Sequence, residues 1–179
     1  MVDYNSTNTG AVIDAAVDKI EAVTASSAEL NILDGVTATT AELNFLDGVT
    51  SNIQTQLDQQ PECLVIAASD ETTALTVGTS KITFRMPYAL TLTEVRASLT
   101  TAGGTSGTTT VDVNEGGVSV FSTLLTIDAG EKTSTTAATA AVISDSALAD
   151  DAEITIDVDA ISGDATEAGL KIYLIGTRA

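Results

Sequence analysis

Two periodicities divide this chain. Up to about residue 60 the apolar positions recur every three or four residues, and beyond it they alternate with polar ones. In GAVIDAAVDKIEAV, Ile13, Ala16, Ile20 and Val23 stand at 3, 4, 3 spacing. That is the a/d seam of a short parallel coiled coil or, on spacing alone, the apolar face of a helix lying on a globular core. Next comes a repeat of 13 residues: 24–36 read TASSAELNILDGV and 37–49 read TATTAELNFLDGV. Self-similarity at a fixed period constrains architecture more than local propensity does. Each unit sets a hydroxyl three residues before a carboxylate, Ser26 with Glu29 and Thr39 with Glu42. At that spacing the two side chains satisfy each other's free backbone N–H groups at a helix start. Asp34-Gly35 and Asp47-Gly48 follow as stops, because glycine enters the left-handed region at little steric cost. SNIQTQLDQQ adds Ile53 and Leu57 four apart, and Pro61 ends the pattern.

Each predicted helix is one or two turns long, and an isolated helix below about 12 residues is marginal in water. Leu30 with Leu33, and Leu43 with Leu46, share a face that no other part of this thin segment covers. The same face of neighbouring identical chains is the natural cover. Ile13, Ile20, Leu30, Leu33, Leu43, Leu46, Ile53 and Leu57 are therefore the predicted assembly residues.

From residue 61 onward, short alternating runs punctuated by Gly and Thr predict an all-β region. Strands are expected at 63–68, 74–77, 81–86, 89–99, 108–114, 118–124, 141–144, 153–161 and 170–177, a number that suits a jelly-roll β-sandwich. Alternation turns Ile82, Phe84 and Met86 inward, and likewise Ile154, Ile156 and Val158. In ALTLTEVRASL the apolar parity shifts across Thr93-Glu94, which predicts a bulge or corner. DVNEGG reads as a hairpin turn, with 114–117 supplying the positive-φ positions. On the last strand Tyr173 and Ile175 fall on the side that should be wet, which marks them as candidates for a contact between β domains.

Composition narrows the chemistry. Seven Lys and Arg against 25 Asp and Glu give a formal charge of −18, and the basic residues form no stripe that could track phosphates. Nucleic acid is thus not an expected partner. An anionic membrane surface would repel the chain, and no apolar run approaches the ~18–20 residues that cross a bilayer. The N-terminus MVDYNSTNTG lacks the basic and apolar regions of an export signal. Cys63, the single cysteine, lies in the apolar run ECLVIAAS and reads as a buried small hydrophobe. With no His, neither a Ser-His-Asp nor a Cys-His arrangement can be built, and aromatics for stacking sugars make up 3% of the chain. No enzyme activity and no cofactor are expected. Asp145, Asp150, Asp151 and Glu153 are weak calcium candidates: their spacing matches no defined calcium loop, and a solvated acidic loop is the favoured reading. TAGGTSGTTT at 101–110 is the longest candidate for a mobile or receptor-contacting loop.

The doubled AELNxLDGVT unit followed by IQTQLD resembles the stalk repeats of phage tail-fibre proteins, particularly those of marine phages. The segment FRMPYALTLTEVRASLTTAGGTSGTTTVDVNEGG and the closing GLKIYLIGTR look like the jelly-roll knob of such fibres and of related virion decorations. The resemblance implies a homotrimer with a helical, coiled-coil-like stalk and a mainly β knob facing the host or the medium. Residues 1–23 would then be the virion anchor with a short helix, 24–60 the stalk and 61–179 the knob. Asp3 to Asn8 would grip phage capsid or tail proteins, and the knob would meet a host-surface glycan or protein. About 20 residues precede the first repeat, fewer than tail fibres carry, so a capsid (head) fibre is expected and a short tail fibre is the alternative. A bacterial adhesin of the same layout would need an export signal or anchor, and a small glycan depolymerase would need catalytic groups.

Overall fold

The computed structural model describes residues 10–179 apart from Ala22 and Leu33. Leu33 and the anchor residues Asp3 to Asn8 therefore lie outside the described residues. The chain forms two compact units, Met1–Thr50 and Ser51–Ala179.

The first unit holds three helices, α1 (Gly10–Glu21), α2 (Ser27–Ile32) and α3 (Thr40–Asn44). Val23 lies beyond the end of α1, so the predicted seam keeps only Ile13, Ala16 and Ile20 on the helix.

The second unit opens with α4 (Ile53–Asp58) and continues as eleven strands. They are β1 (Glu62–Ala67), β2 (Gly78–Arg85), β3 (Leu90–Ser98), β4 (Thr108–Glu115), β5 (Val118–Ser119) and β6 (Phe121–Thr123). Then follow β7 (Leu125–Asp128), β8 (Val142–Ile143), β9 (Ala147–Leu148), β10 (Glu153–Ala160) and β11 (Lys171–Arg178). The protein is thus mainly β. One antiparallel sheet has the order β1-β11-β3-β9. The other runs β2-β10-β4, with β5 and β7 both paired to β4, and β6 pairs with β8 apart.

Period-2 alternation produces the core. Ile172 and Leu174 from the first sheet, Leu170 just before it, and Val111, Val113, Ile154, Ile156 and Val158 from the second are buried in one cluster. Ile82 and Phe84 pack against it and Met86 is buried, as the alternation predicts.

The parity break in β3 is a bulge. Ile175 stands opposite Glu94 and Gly176 opposite Leu92, which leaves Thr93 without a partner. Leu90 and Leu92 before it, and Val95 and Ala97 after it, consequently all face the core. Gly176 is required at this kink, since a Cβ there would run into the Thr91 carbonyl oxygen. The β4–β5 hairpin turns at Gly116 and Gly117, with φ of 56° and 84°, the positive pair of a type I′ turn.

Four expectations need correction. Residues 74–77 form no strand: Asp70 Oδ1 accepts from Thr72 N at 2.9 Å and Thr73 N at 2.6 Å, and the resulting loop drops Leu75 into the core. Residues 118–124 are split between β5 and β6, while β7 and β9 were not foreseen. Cys63 is exposed, because on β1 the inward positions are Leu64 and Ile66. An apolar run does not reveal its own phase.

Lastly, the 101–110 segment is tied down. Thr101 pairs with Ala168, Gly104 N donates to Ser162 Oγ at 3.1 Å, and Gly163 N donates to the Ser106 carbonyl at 2.9 Å. A Cβ on Gly103 or Gly104 would collide with Ser162 or Asp164.

Candidate functional site

The repeat builds the same small structure twice. At the start of α3, Glu42 N donates to Thr39 Oγ1 at 3.3 Å while Thr39 N donates to Glu42 Oε2 at 2.7 Å. At the start of α2, Glu29 N donates to Ser26 Oγ and Ser26 N to Glu29 Oε2 at the same 3.3 and 2.7 Å. These bonds hold both carboxyls below the usual carboxylate range: for Glu29 the Ser26 hydroxyl acts most, for Glu42 the Thr39 N–H. Gly35 and Gly48 both take a φ of 84° in the turns that follow the helices. Ser26, Glu29, Thr39 and Glu42 thus make the bonds of two capping boxes, whereas Gly48 is not the helix cap it was expected to be: α3 is capped by Phe45, three residues earlier.

The caps satisfy backbone groups but cover no side chain. Every described residue from 10 to 60 is exposed, including Ile13, Ile20, Leu30, Leu43, Leu46, Ile53 and Leu57. Equivalent positions in the two units match, with Leu30 at 49% and Leu43 at 41% exposure. Sequence reasoning overlooked the most exposed apolar pair, Ile32 at 76% and Phe45 at 83%. This is the Ile-to-Phe position of the repeat, where an apolar side chain is kept while its shape changes. Val36 and Val49 repeat the pattern and were also missed.

On the second unit the two outer sheet faces differ. Beyond β4 and β10, Asp112 stands directly opposite Asp157, with Asp159, Asp128 and Glu153 on the same side. Burial raises the Asp112 carboxyl, with Asp159 and Asp157 adding to the rise, against the Ser119 hydroxyl donating at 2.6 Å. On the other sheet the outward side of β3 is polar, but that of β1 and the middle of β11 is apolar. Tyr173 and Ile175 lie here as predicted, joined by Cys63 and Val65 through the register Cys63–Ile175 and Val65–Tyr173.

Between β3 and the 134–143 segment lies a groove of about 680 Å³ bordered by Thr93, Glu94, Arg96, Phe121 and Ser134. Glu94, its single acid, is held by Arg96 in two bonds of 2.6 and 2.7 Å. The groove therefore lacks the carboxylate pair of a glycoside hydrolase.

The calcium candidates do not converge. Asp145 accepts from Ala147 N, Arg85 bonds the Asp151 carbonyl at 2.8 Å and pairs with Glu153 at 3.7 Å. Among the described residues no three His, Cys, Asp or Glu side chains are grouped to hold a metal. No described helix is long and apolar enough to cross a membrane.

A buried carboxylate escaped sequence reasoning altogether. Glu167 is 0% exposed, and its oxygens accept from Ser162 N at 2.6 Å, Ser162 Oγ at 2.7 Å and Thr109 Oγ1 at 3.0 Å. Burial alone would raise its carboxyl, but these donors together leave it below the usual range. Its carbonyl accepts from Leu75 N at 2.7 Å, so one residue ties the loops at 75 and 162 to the start of β4 at Thr109.

Comparison with protein-family models, with curated proteins and with solved structures gives no match.

Proposed function

We propose that the protein is a structural subunit of a phage virion, a homotrimeric fibre or spike that projects from the capsid and carries a jelly-roll knob for host-surface adhesion or decoration. The observation behind this reading is the doubled capping box whose Leu30 and Leu43 stay uncovered at equivalent positions. A single chain has spent two capping boxes on helices of five and six residues that bury nothing. Three parallel copies would close each set of leucines around an axis, coiled-coil fashion. Residues 1–23 would then serve as the anchor.

Strand order supports the jelly-roll assignment of the knob. β1-β11-β3-β9 and β2-β10-β4-β7 set the first strand beside the last and the second beside the one before last. Two interleaved Greek keys folded as a sandwich have that arrangement. The reading is of a binding and assembly protein without cofactor or catalytic site.

Two measurements test it. Sedimentation of the full chain should give the mass of three copies, and a single-chain mass at micromolar concentration refutes the trimer. Gold labelling of purified virions with an antibody against the β unit should decorate the capsid. Label confined to the tail makes the protein a short tail fibre, and virions without label refute the virion assignment.

A further inference from the structure

β1 is an edge strand whose outer edge has no partner among the described residues. Half-buried strands ordinarily alternate apolar with polar, and free edges are ordinarily blunted by charge, proline or a bulge. In ECLVIA neither holds past Glu62. Leu64 and Ile66 turn to the core, while Cys63, Val65 and Ala67 turn outward, Val65 with 58% of its surface exposed.

Cross-strand register extends this apolar strip. Cys63 lies beside Ile175 and Val65 beside Tyr173, whose hydroxyl is satisfied by Ser98 Oγ at 3.0 Å. A hollow of about 440 Å³, bordered by Cys63, Tyr173, Ile175, Arg96, Thr133 and Thr135, adjoins the strip.

Charge decides what can cover it. Every charged side chain on β1, β3 and β11 has an opposite partner: Glu94 with Arg96, Lys171 with Glu71, Arg178 with Glu62. The opposite outer face carries Asp112 against Asp157, with Asp159 alongside. In a chain of net charge −18, two copies meeting through that face would bring carboxylates together. The neutral face brings none.

Chain connectivity adds a second reason. Only residues 59–61 separate the end of α4 from β1, a step of at most ~14 Å, and α4 carries the uncovered Ile53 and Leu57. Both elements belong to the same compact unit. Where α4 packs on its copies, β1 starts within that reach of α4 and so stays near the axis. The Glu62 carboxylate, held by Arg178 at 3.0 Å and by the Tyr88 hydroxyl at 2.9 Å, fixes the joint.

We infer that the outward face of β1 and β11 is itself a self-association surface, on which the two other copies of this chain cover Cys63, Val65, Tyr173 and Ile175. This rests on the homotrimer proposed above. Three identical strips turned to one axis bury each residue against its own copies, a closed ring that leaves no strip unpaired.

The single cysteine reports on this directly. In the full-length protein Cys63 should react with an aqueous maleimide at least about tenfold more slowly than in the urea-unfolded chain, since thiol reactivity follows access. Val65→Arg should restore the unfolded rate or lower the mass below three chains, and either result supports the face. Cys63 reacting at the unfolded rate within a particle of three chains overturns the face and leaves the trimer standing. A single-chain mass overturns both.

Discussion

Replacing Glu167 by alanine tests whether one buried carboxylate holds the end of the β unit together. The side chain is 0% exposed and takes three donated bonds. After its removal the Ser162 hydroxyl can still turn to Asp164 Oδ1, 3.0 Å away. The Ser162 N–H and the Thr109 hydroxyl are left without an acceptor. A buried donor without a partner costs about 1–3 kcal/mol, so with the lost packing the substitution should destabilise the unit by about 3–6 kcal/mol. That is a large share of the ~5–15 kcal/mol that typically separates folded from unfolded. Thermal unfolding followed by circular dichroism should show Tm falling by roughly 10–25 °C for a unit of this size.

Glu167→Gln separates charge from shape. The native carboxyl is lowered from 4.5, so the stability it contributes is present above that value and drains away as pH falls through the lowered folded value. Wild type should therefore lose its margin over Glu167→Gln only on acidification below about pH 4.5. A Glu167→Ala protein whose Tm falls by less than about 5 °C would show that the loops are held by something else.

Leu30→Asp with Leu43→Asp leaves about one leucine's worth of apolar surface uncoverable per chain; at ~1.5–3 kcal/mol for each leucine, three chains lose about 4–8 kcal/mol. Assembly should weaken by about three to six orders of magnitude, giving monomers by sedimentation with an unchanged β-sheet signal in circular dichroism, and a persisting trimer would count against the stalk. Gly176→Ala drives a Cβ into the Thr91 carbonyl and should cost about 1–3 kcal/mol in urea unfolding, whereas an unchanged midpoint would mean that the bulge can relax. Asp112→Asn should raise Tm at pH 7, because a carboxyl raised above 3.8 withdraws stability as pH climbs through its folded value. The gain, about 0.2–1 kcal/mol for a like-charged cross-strand pair, should vanish below about pH 3.8, and a gain that persists there would rule out charge as its cause.

The sequence by itself determined whatever depends on neighbours along the chain. Both capping boxes, the positive φ of Gly35 and Gly48, the Gly116-Gly117 turn and the parity break at Thr93 are local stereochemistry, and each is present where its spacing put it. Alternation likewise assigned the inward rows of β2 and β10, since their outward positions are polar. Where both parities are apolar, as in ECLVIA, alternation has no signal, so the outward turn of Cys63 and Val65 was decided by pairing with β11. Leu75 reads as part of a strand, but it enters the core from a loop set by Asp70 and the Glu167 carbonyl. Glu167 looks like one more surface acid among 25 Asp and Glu. Only the meeting of residues 109, 162 and 167 supplies the donors that let a carboxylate lie buried; the bond to Thr109 spans 58 residues, and the irregular loop from 162 to 167 carries no periodicity to read.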